Sequence, residues 1–100
     1  MCSNIPLHQW GLQINNKNNL TISEVDTIEL AKIYGTPLHV INEPRLIETA
    51  HTFLTVFKNN YPGNIEVYFA LKSNPVGAVL KTLHALGFGS EIISPYELYL

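Results

Sequence analysis

A lysine stands at the end of the most strand-like segment of this chain, in the stretch YFALKSNPVG. The run before it, IEVYFAL, is largely apolar on both faces, which is typical of a parallel strand covered on two sides. Lys72 follows directly, and the C-terminal ends of parallel strands are where α/β proteins build their sites. An amine that loses solvation there is disfavoured in its charged form and becomes a nucleophile. This is the requirement for an imine with an aldehyde cofactor or a carbonyl substrate.

A carboxylate occupies the corresponding place on the next predicted strand, SEIIS. Because the ends of neighbouring parallel strands meet at one edge of a sheet, Glu91 could share a site with Lys72. Strand alternation puts Glu91 and Ile93 on the same face. The periodicity does not say whether that face points inward.

Each of these residues also has an ordinary structural interpretation. A lysine after a strand is most often a solvated loop residue, and Glu97 matches the last position of a helix-capping box. The four histidines lack metal-ligand spacing, and Cys2 is the single cysteine, so no metal site is predicted. The stretch GFGS follows a predicted helix instead of preceding one, which is the wrong context for a phosphate-binding loop.

Length and composition predict one small globular domain. The chain has 100 residues, of which 46% are hydrophobic and 14% charged, and its formal net charge is -2. The scattered basic residues give no electrostatic footprint for nucleic acid, and no apolar run approaches the roughly 20 residues that span a bilayer. The start of the chain lacks the features of a signal peptide, and a lone cysteine fits a reducing cytoplasm. Its end, SPYELYL, reads as a helix just begun, so we expect a piece of a longer protein.

The first half of the chain carries clear turn and capping signals. WGLQI and LTIS around NNKNN predict a hairpin. Asp26 is placed as the N-cap of a helix that Gly35 and Pro37 end, with Glu29 completing a capping box. PLHVIN follows as a predicted strand. Asn42 is placed to cap a second helix, EPRLIETAHTFLTVFKN.

The second half predicts parallel strand–helix units. After the strand that ends at Lys72, Asn74 and Pro75 are placed to begin a helix, and Gly87 is placed to end it. SEIIS is the next strand, and Ser94 with Glu97 predicts another helix start. Alternation of strands and helices with short connections favours a parallel sheet.

Two separated motifs in this half resemble a known family. YFALKSNP is similar to the sequence Y-A-V-K-A-N-P of the fold-type III pyridoxal-phosphate decarboxylases, and the following segment is similar to their G-x-G-F-D-x-A-S with a glutamate in the next helix. Upstream, ELAKIYGTPLHVINEPRL resembles the family's L-A-x-x-Y-G-T-P-L-Y-V-Y-D-E. The matching positions in the two motifs are Ala70, Lys72, Asn74, Pro75, Gly87, Glu91, Ser94 and Glu97, and Tyr68 stands one position before the family's tyrosine.

The resemblance implies a role for two residues. Lys72 corresponds to the lysine that holds pyridoxal 5'-phosphate and is thus implied to be catalytic as well as cofactor-binding. Glu91 corresponds to an aspartate near the cofactor and keeps its charge on a side chain one methylene longer. SPYEL in place of S-G-G-E-L, and Ser73 in place of alanine, leave the substrate open.

The resemblance also implies an architecture and an activity. The expected fold is the N-terminal part of a (β/α)8 TIM-type barrel, with residues 1–42 contributing to a β-domain and residues 43–100 forming the first βα units. The expected full-length protein is a cytoplasmic homodimer that decarboxylates a basic or diamino amino acid, with meso-diaminopimelate, and so lysine biosynthesis, favoured. An ornithine or arginine decarboxylase, a racemase-like barrel, and a non-catalytic homologue that binds a partner remain alternatives. The fragment alone is expected to be inactive.

Overall fold

The computed structural model describes residues 6–100 as a mixed α/β structure in two compact units, one ending at Arg45 and the other covering Leu46–Leu100. The strands are β1 (Leu12–Ile14), β2 (Leu20–Ile22), β3 (Val25–Asp26), β4 (Tyr68–Ala70) and β5 (Gly89–Glu91). The helices are α1 (Thr27–Tyr34), α2 (Glu43–Asn60) and α3 (Gly77–Ala85). Short 3₁₀ turns occupy Leu7–Trp10, Leu71–Ser73 and Glu97–Tyr99.

The first unit is built on the predicted hairpin, which the structure confirms. β1 and β2 pair antiparallel, with Gln13 opposite Thr21. The Asn-rich loop closes through a hydrogen bond from the Asn15 amide to the Asn19 carbonyl at 2.9 Å, and Asn18 takes the left-handed conformation with φ 62. Asparagine adopts that conformation more readily than most residues. The sequence did not predict β3, which adds a third antiparallel strand.

Asp26 joins this loop to α1. Its Oδ1 accepts hydrogen bonds from the amides of Ile28 and Glu29 and caps the helix, as predicted. Its Oδ2 accepts hydrogen bonds from the side-chain amides of Asn15 (2.8 Å) and Asn19 (2.9 Å). The other half of the expected capping box does not form, because the Glu29 carboxylate instead pairs with Lys32 at 2.9 Å.

The strand predicted at residues 37–42 is wrong. A strand requires a hydrogen-bonded neighbour, and the described residues provide none, so this segment is irregular. Asn42 still caps α2 as predicted, since its Oδ1 accepts a hydrogen bond from the Arg45 amide at 3.1 Å. The same oxygen accepts a second hydrogen bond from the Ser23 hydroxyl at 2.7 Å, which connects the hairpin to the start of α2.

The second unit contains the predicted parallel pair. β4 and β5 run parallel with α3 between them in sequence, and Ala70 lies opposite Glu91. One face of this sheet is covered by a small core formed by Ala50, Val79 and Leu83, against which Phe69 packs. The predicted alternation along β4 is confirmed, because Phe69 on this face is half-buried and Tyr68 on the other face is 59% exposed.

The strand before Lys72 and the helix after it differ in extent from the sequence prediction, and β5 ends at Glu91 where the strand SEIIS was expected to reach Ser94. The run IEVYFAL forms a strand only over its last part, Tyr68–Ala70, and the chain enters a 3₁₀ turn at Leu71. The following helix begins at Gly77, two residues later than expected, because the Asn74 side chain accepts a hydrogen bond from the Val76 amide and so closes a turn of its own. Gly87 ends α3 as predicted, with φ 92.

Among residues 6–100, no helix has both the length and the apolar character needed to cross a membrane.

We expect the isolated 100-residue chain to associate in solution. The parallel sheet has two strands within the described residues, and Phe53 and Phe57 of α2 are 46% and 47% exposed. Unpaired strand edges and exposed apolar side chains promote association. The sedimentation coefficient should therefore rise with protein concentration across a dilution series. A compact, stable monomer at all concentrations would contradict this expectation.

We expect Asp26 to titrate far below an ordinary aspartate. The hydrogen bond from the Asn19 side chain is the largest cause, and those from Asn15 and the two helix amides add to it, lowering the pKa from 3.8 to about 2 against the opposing effect of desolvation. Because the folded pKa lies below the ordinary value, this carboxylate stabilises the folded unit fully above pH 3.8, and the contribution is lost as the pH falls toward 2. NMR titration of the Asp26 carboxyl carbon measures the pKa directly.

Two variants test the cause. Asn19→Ala removes the largest contribution and should raise the pKa of Asp26 toward its ordinary value. Asn16→Ala changes an exposed residue of the same loop and should leave that pKa unchanged. An unaltered pKa in Asn19→Ala would show that the asparagine does not hold the carboxylate in its ionised form.

Candidate functional site

The turn that carries Lys72 is fixed by hydrogen bonds on both sides. The Ser73 hydroxyl donates to the Ala70 carbonyl at 2.7 Å, and the Asn74 amide donates to the Leu71 carbonyl at 3.2 Å. Leu71 is 2% exposed, and its burial in the core anchors the turn. Lys72 lies in this turn at the C-terminal end of β4. It is exposed, so the loss of solvation expected for its amine does not occur within the described residues.

The parallel register decides which face Glu91 occupies. Ala70 lies directly opposite Glu91, and residues opposite each other in a sheet project from the same face. That face is the one opposite Phe69, which packs against the core. Glu91 therefore projects away from the helices, and it is exposed within the described residues.

Lys72 and Glu91 are brought to the same end of the sheet. β4 and β5 end at the paired residues Ala70 and Glu91, and Lys72 follows two positions later. Within residues 6–100 the two side chains do not form an ion pair with each other or with a third residue. Both charged groups are thus available to a ligand at this edge.

Tyr68 and Gly89 lie on the same face of the sheet as Ala70 and Glu91. Tyr68 lies opposite Gly89, and the Tyr68 hydroxyl donates a hydrogen bond to the Glu66 carboxylate at 2.6 Å. That bond to a negatively charged acceptor raises the pKa of Tyr68 above 10.0. The sequence pattern indicates Tyr68 only as part of the family-like stretch YFALKSNP and does not single out Glu66 or Gly89. The spacing of two residues between Glu66 and Tyr68 is the signal that would have indicated a shared face.

On the helix-facing side, a polar contact holds β5 against α3. His84 Nε2 lies 2.6 Å from the Ser90 hydroxyl oxygen. Ser90 pairs with Phe69 in the register and so shares its face, which is the one opposite Glu91. In the part of the chain that the structure describes, no three His, Cys, Asp or Glu side chains are grouped to hold a metal ion.

These residues suit a planar cofactor that carries an aldehyde. A primary amine is present at the end of β4, and a carboxylate is present on the neighbouring strand end. Ala70, a small residue, lies opposite Glu91 and two positions before Lys72. The donor set of one amine and one carboxylate matches imine chemistry and offers no set of metal ligands.

Comparison with known proteins gives one consistent group of relatives. The chain is 38% identical over 88 residues to a diaminopimelate decarboxylase of Methanothermobacter thermautotrophicus, covering 88% of this chain and 20% of that protein. It is 34% identical over 87 residues to the diaminopimelate decarboxylases of Halalkalibacterium halodurans and Bacillus methanolicus, covering 87% of this chain and 20% of each. The chain thus spans about a fifth of the length of the curated relatives it matches.

No protein-family model matches the chain. No solved structure matches it either. The relatives nevertheless confirm the resemblance that the two motifs indicated, over most of this chain.

Proposed function

Because this chain corresponds to a segment of the diaminopimelate decarboxylase family, we propose that the whole protein is a pyridoxal-phosphate-dependent amino-acid decarboxylase. Its proposed substrate is meso-diaminopimelate and its product lysine. The single observation that supports this most directly is the position of Lys72, in a fixed turn immediately after a parallel strand and beside the end of the neighbouring strand.

Lys72 is the proposed attachment point of the cofactor. Pyridoxal phosphate, when bound, supplies an aldehyde that condenses with an amine and a ring that accepts the electron pair left when the carboxylate departs as carbon dioxide. The hydrogen bonds of Ser73 and Asn74 orient the backbone on either side of Lys72. Such a fixed backbone directs the amine toward one region and lowers the conformational cost of binding there.

Glu91 is the proposed carboxylate beside the cofactor. It projects from the same face as Ala70 and keeps a negative charge close to the end of β4. A carboxylate can accept a hydrogen bond from a bound ligand. Its longer side chain reaches this region from the neighbouring strand.

The proposed architecture follows from the parallel unit and from the length of the relatives. β4, α3 and β5 form one strand–helix–strand unit, which is the repeating element of a (β/α)8 barrel. We assign residues 43–100 to the first units of such a barrel and residues 1–42 to a β-domain. The proposed whole protein is a cytoplasmic homodimer.

We expect pyridoxal phosphate to be fixed on Lys72 in the full-length protein. Borohydride reduction followed by peptide mapping should place the label on Lys72, and Lys72→Ala should abolish it. Lys72→Ala should also lower kcat by more than about a thousandfold, the scale lost when a covalent catalyst is removed. Lys81→Ala, which changes an exposed lysine on α3, is the matched control and should keep both labelling and activity. Unchanged activity in Lys72→Ala would refute the assignment.

We expect carbon dioxide release to be fastest with meso-diaminopimelate. The measurement compares kcat/KM for meso-diaminopimelate, ornithine, arginine and lysine with the full-length protein. A preference for ornithine or arginine would indicate an ornithine or arginine decarboxylase instead. Racemisation without carbon dioxide release would indicate a racemase, and no turnover of any amino acid would favour a partner-binding homologue.

A further inference from the structure

The ring of Tyr68 lies over the backbone of Gly89. A Cβ atom added to Gly89 would come within 2.6 Å of Tyr68 Cδ1 and 2.7 Å of Cε1, which is closer than real side chains approach. Gly89 does not have a positive φ, so its backbone conformation does not require glycine. The tyrosine ring therefore occupies the space that a side chain at position 89 would fill.

The hydroxyl of Tyr68 also holds the ring in place. It donates a hydrogen bond of 2.6 Å to the carboxylate of Glu66, which lies two residues before the start of β4. Hydrogen bonds to ionised acceptors are shorter and stronger than those between neutral groups. The ring of Tyr68 is thus fixed by Gly89 beneath it and by Glu66 at its tip, although the side chain is 59% exposed.

This ring bounds the face that carries the candidate site. Going toward the C-terminal end of β4, this face presents Tyr68 and then Ala70 with Glu91 opposite, and the turn that contains Lys72 follows where the strand ends. A planar group attached to Lys72 and lying along Ala70 would meet the tyrosine ring on the side away from the lysine. The strip of sheet between the ring and the turn is the area that such a group could use.

We propose that Tyr68 is a positioning residue that limits how far the cofactor can move toward the N-terminal end of β4. We also propose that Gly89 is required because a side chain there would displace the Tyr68 ring. The inference rests on the proposed function, and it assigns a role to two residues that do not react. Tyr68 acts by occupying space, so its aromatic ring matters and its hydroxyl serves to orient the ring.

The first test compares Tyr68→Phe with Tyr68→Ala in the full-length holoenzyme. Tyr68→Ala should release pyridoxal phosphate about tenfold faster to a trapping apoenzyme, a change typical of losing one aromatic contact. It should also weaken the visible circular dichroism of the bound cofactor, because the cofactor is held less uniformly. Tyr68→Phe keeps the ring and should stay within about threefold of the parent release rate. Equal release rates for Tyr68→Ala and the parent, or equal defects in both variants, would overturn the proposal.

The second test displaces the ring without removing it. Gly89→Ala should speed cofactor release as Tyr68→Ala does, because the new methyl group pushes the ring aside. In a Tyr68→Ala background the same substitution should add little, since the clash no longer exists. Gly77→Ala is the matched control, because a Cβ at Gly77 meets nothing within 4 Å. If Tyr68→Ala fails to fold, Gly89→Ala decides the question alone, and a parent-like release rate would then refute the proposal.

The outcome separates this inference from the proposed function. If borohydride does not label Lys72 in the parent protein, the decarboxylase assignment fails. If Lys72 is labelled and the Tyr68 and Gly89 variants retain the cofactor as the parent does, only the positioning role fails.

Discussion

The parallel pairing of β4 with β5 is the constraint on which the candidate site depends. Two parallel strands cannot be joined by a tight turn, so the chain must leave β4, form α3 and return to begin β5. The core made by Ala50, Val79 and Leu83 holds this crossover against one face of the sheet. The opposite face is left for Ala70, Glu91 and the tyrosine ring.

The site combines a rigid backbone with exposed charged groups. Hydrogen bonds from Ser73 and Asn74 fix the turn around Lys72, and the buried Leu71 anchors it to the core. The charged ends of Lys72 and Glu91 have no partner in the described residues. These two proposed site residues are therefore not used in the contacts that hold the described chain together. In the first unit the charge of Asp26 serves stability instead, because its carboxylate joins the loop to the start of α1.

Local signals predicted the elements that local interactions hold. The Asn-rich loop, the caps at Asp26 and Asn42, and the glycine after α3 depend on residues within a few positions of one another, and the structure confirms them. The strand expected at residues 37–42 was wrong because its formation depends on a neighbour that the described chain lacks. The start of α3 was placed too early because the Asn74 side chain closes a separate turn instead of capping the helix.

The sequence by itself determined the hairpin, the strand–helix–strand unit of the second half, the alternation along β4, the position of Lys72 at a strand end and the resemblance to a decarboxylase family. The tertiary structure decided the face of Glu91 and the contact between Tyr68 and Gly89. The alternation of side chains along one strand determines which of its own residues lie on the same face. The register between β4 and β5, which are distant in sequence, determines which residues of β5 lie on the same face as which residues of β4. That register depends on core packing around α3, which no local pattern specifies.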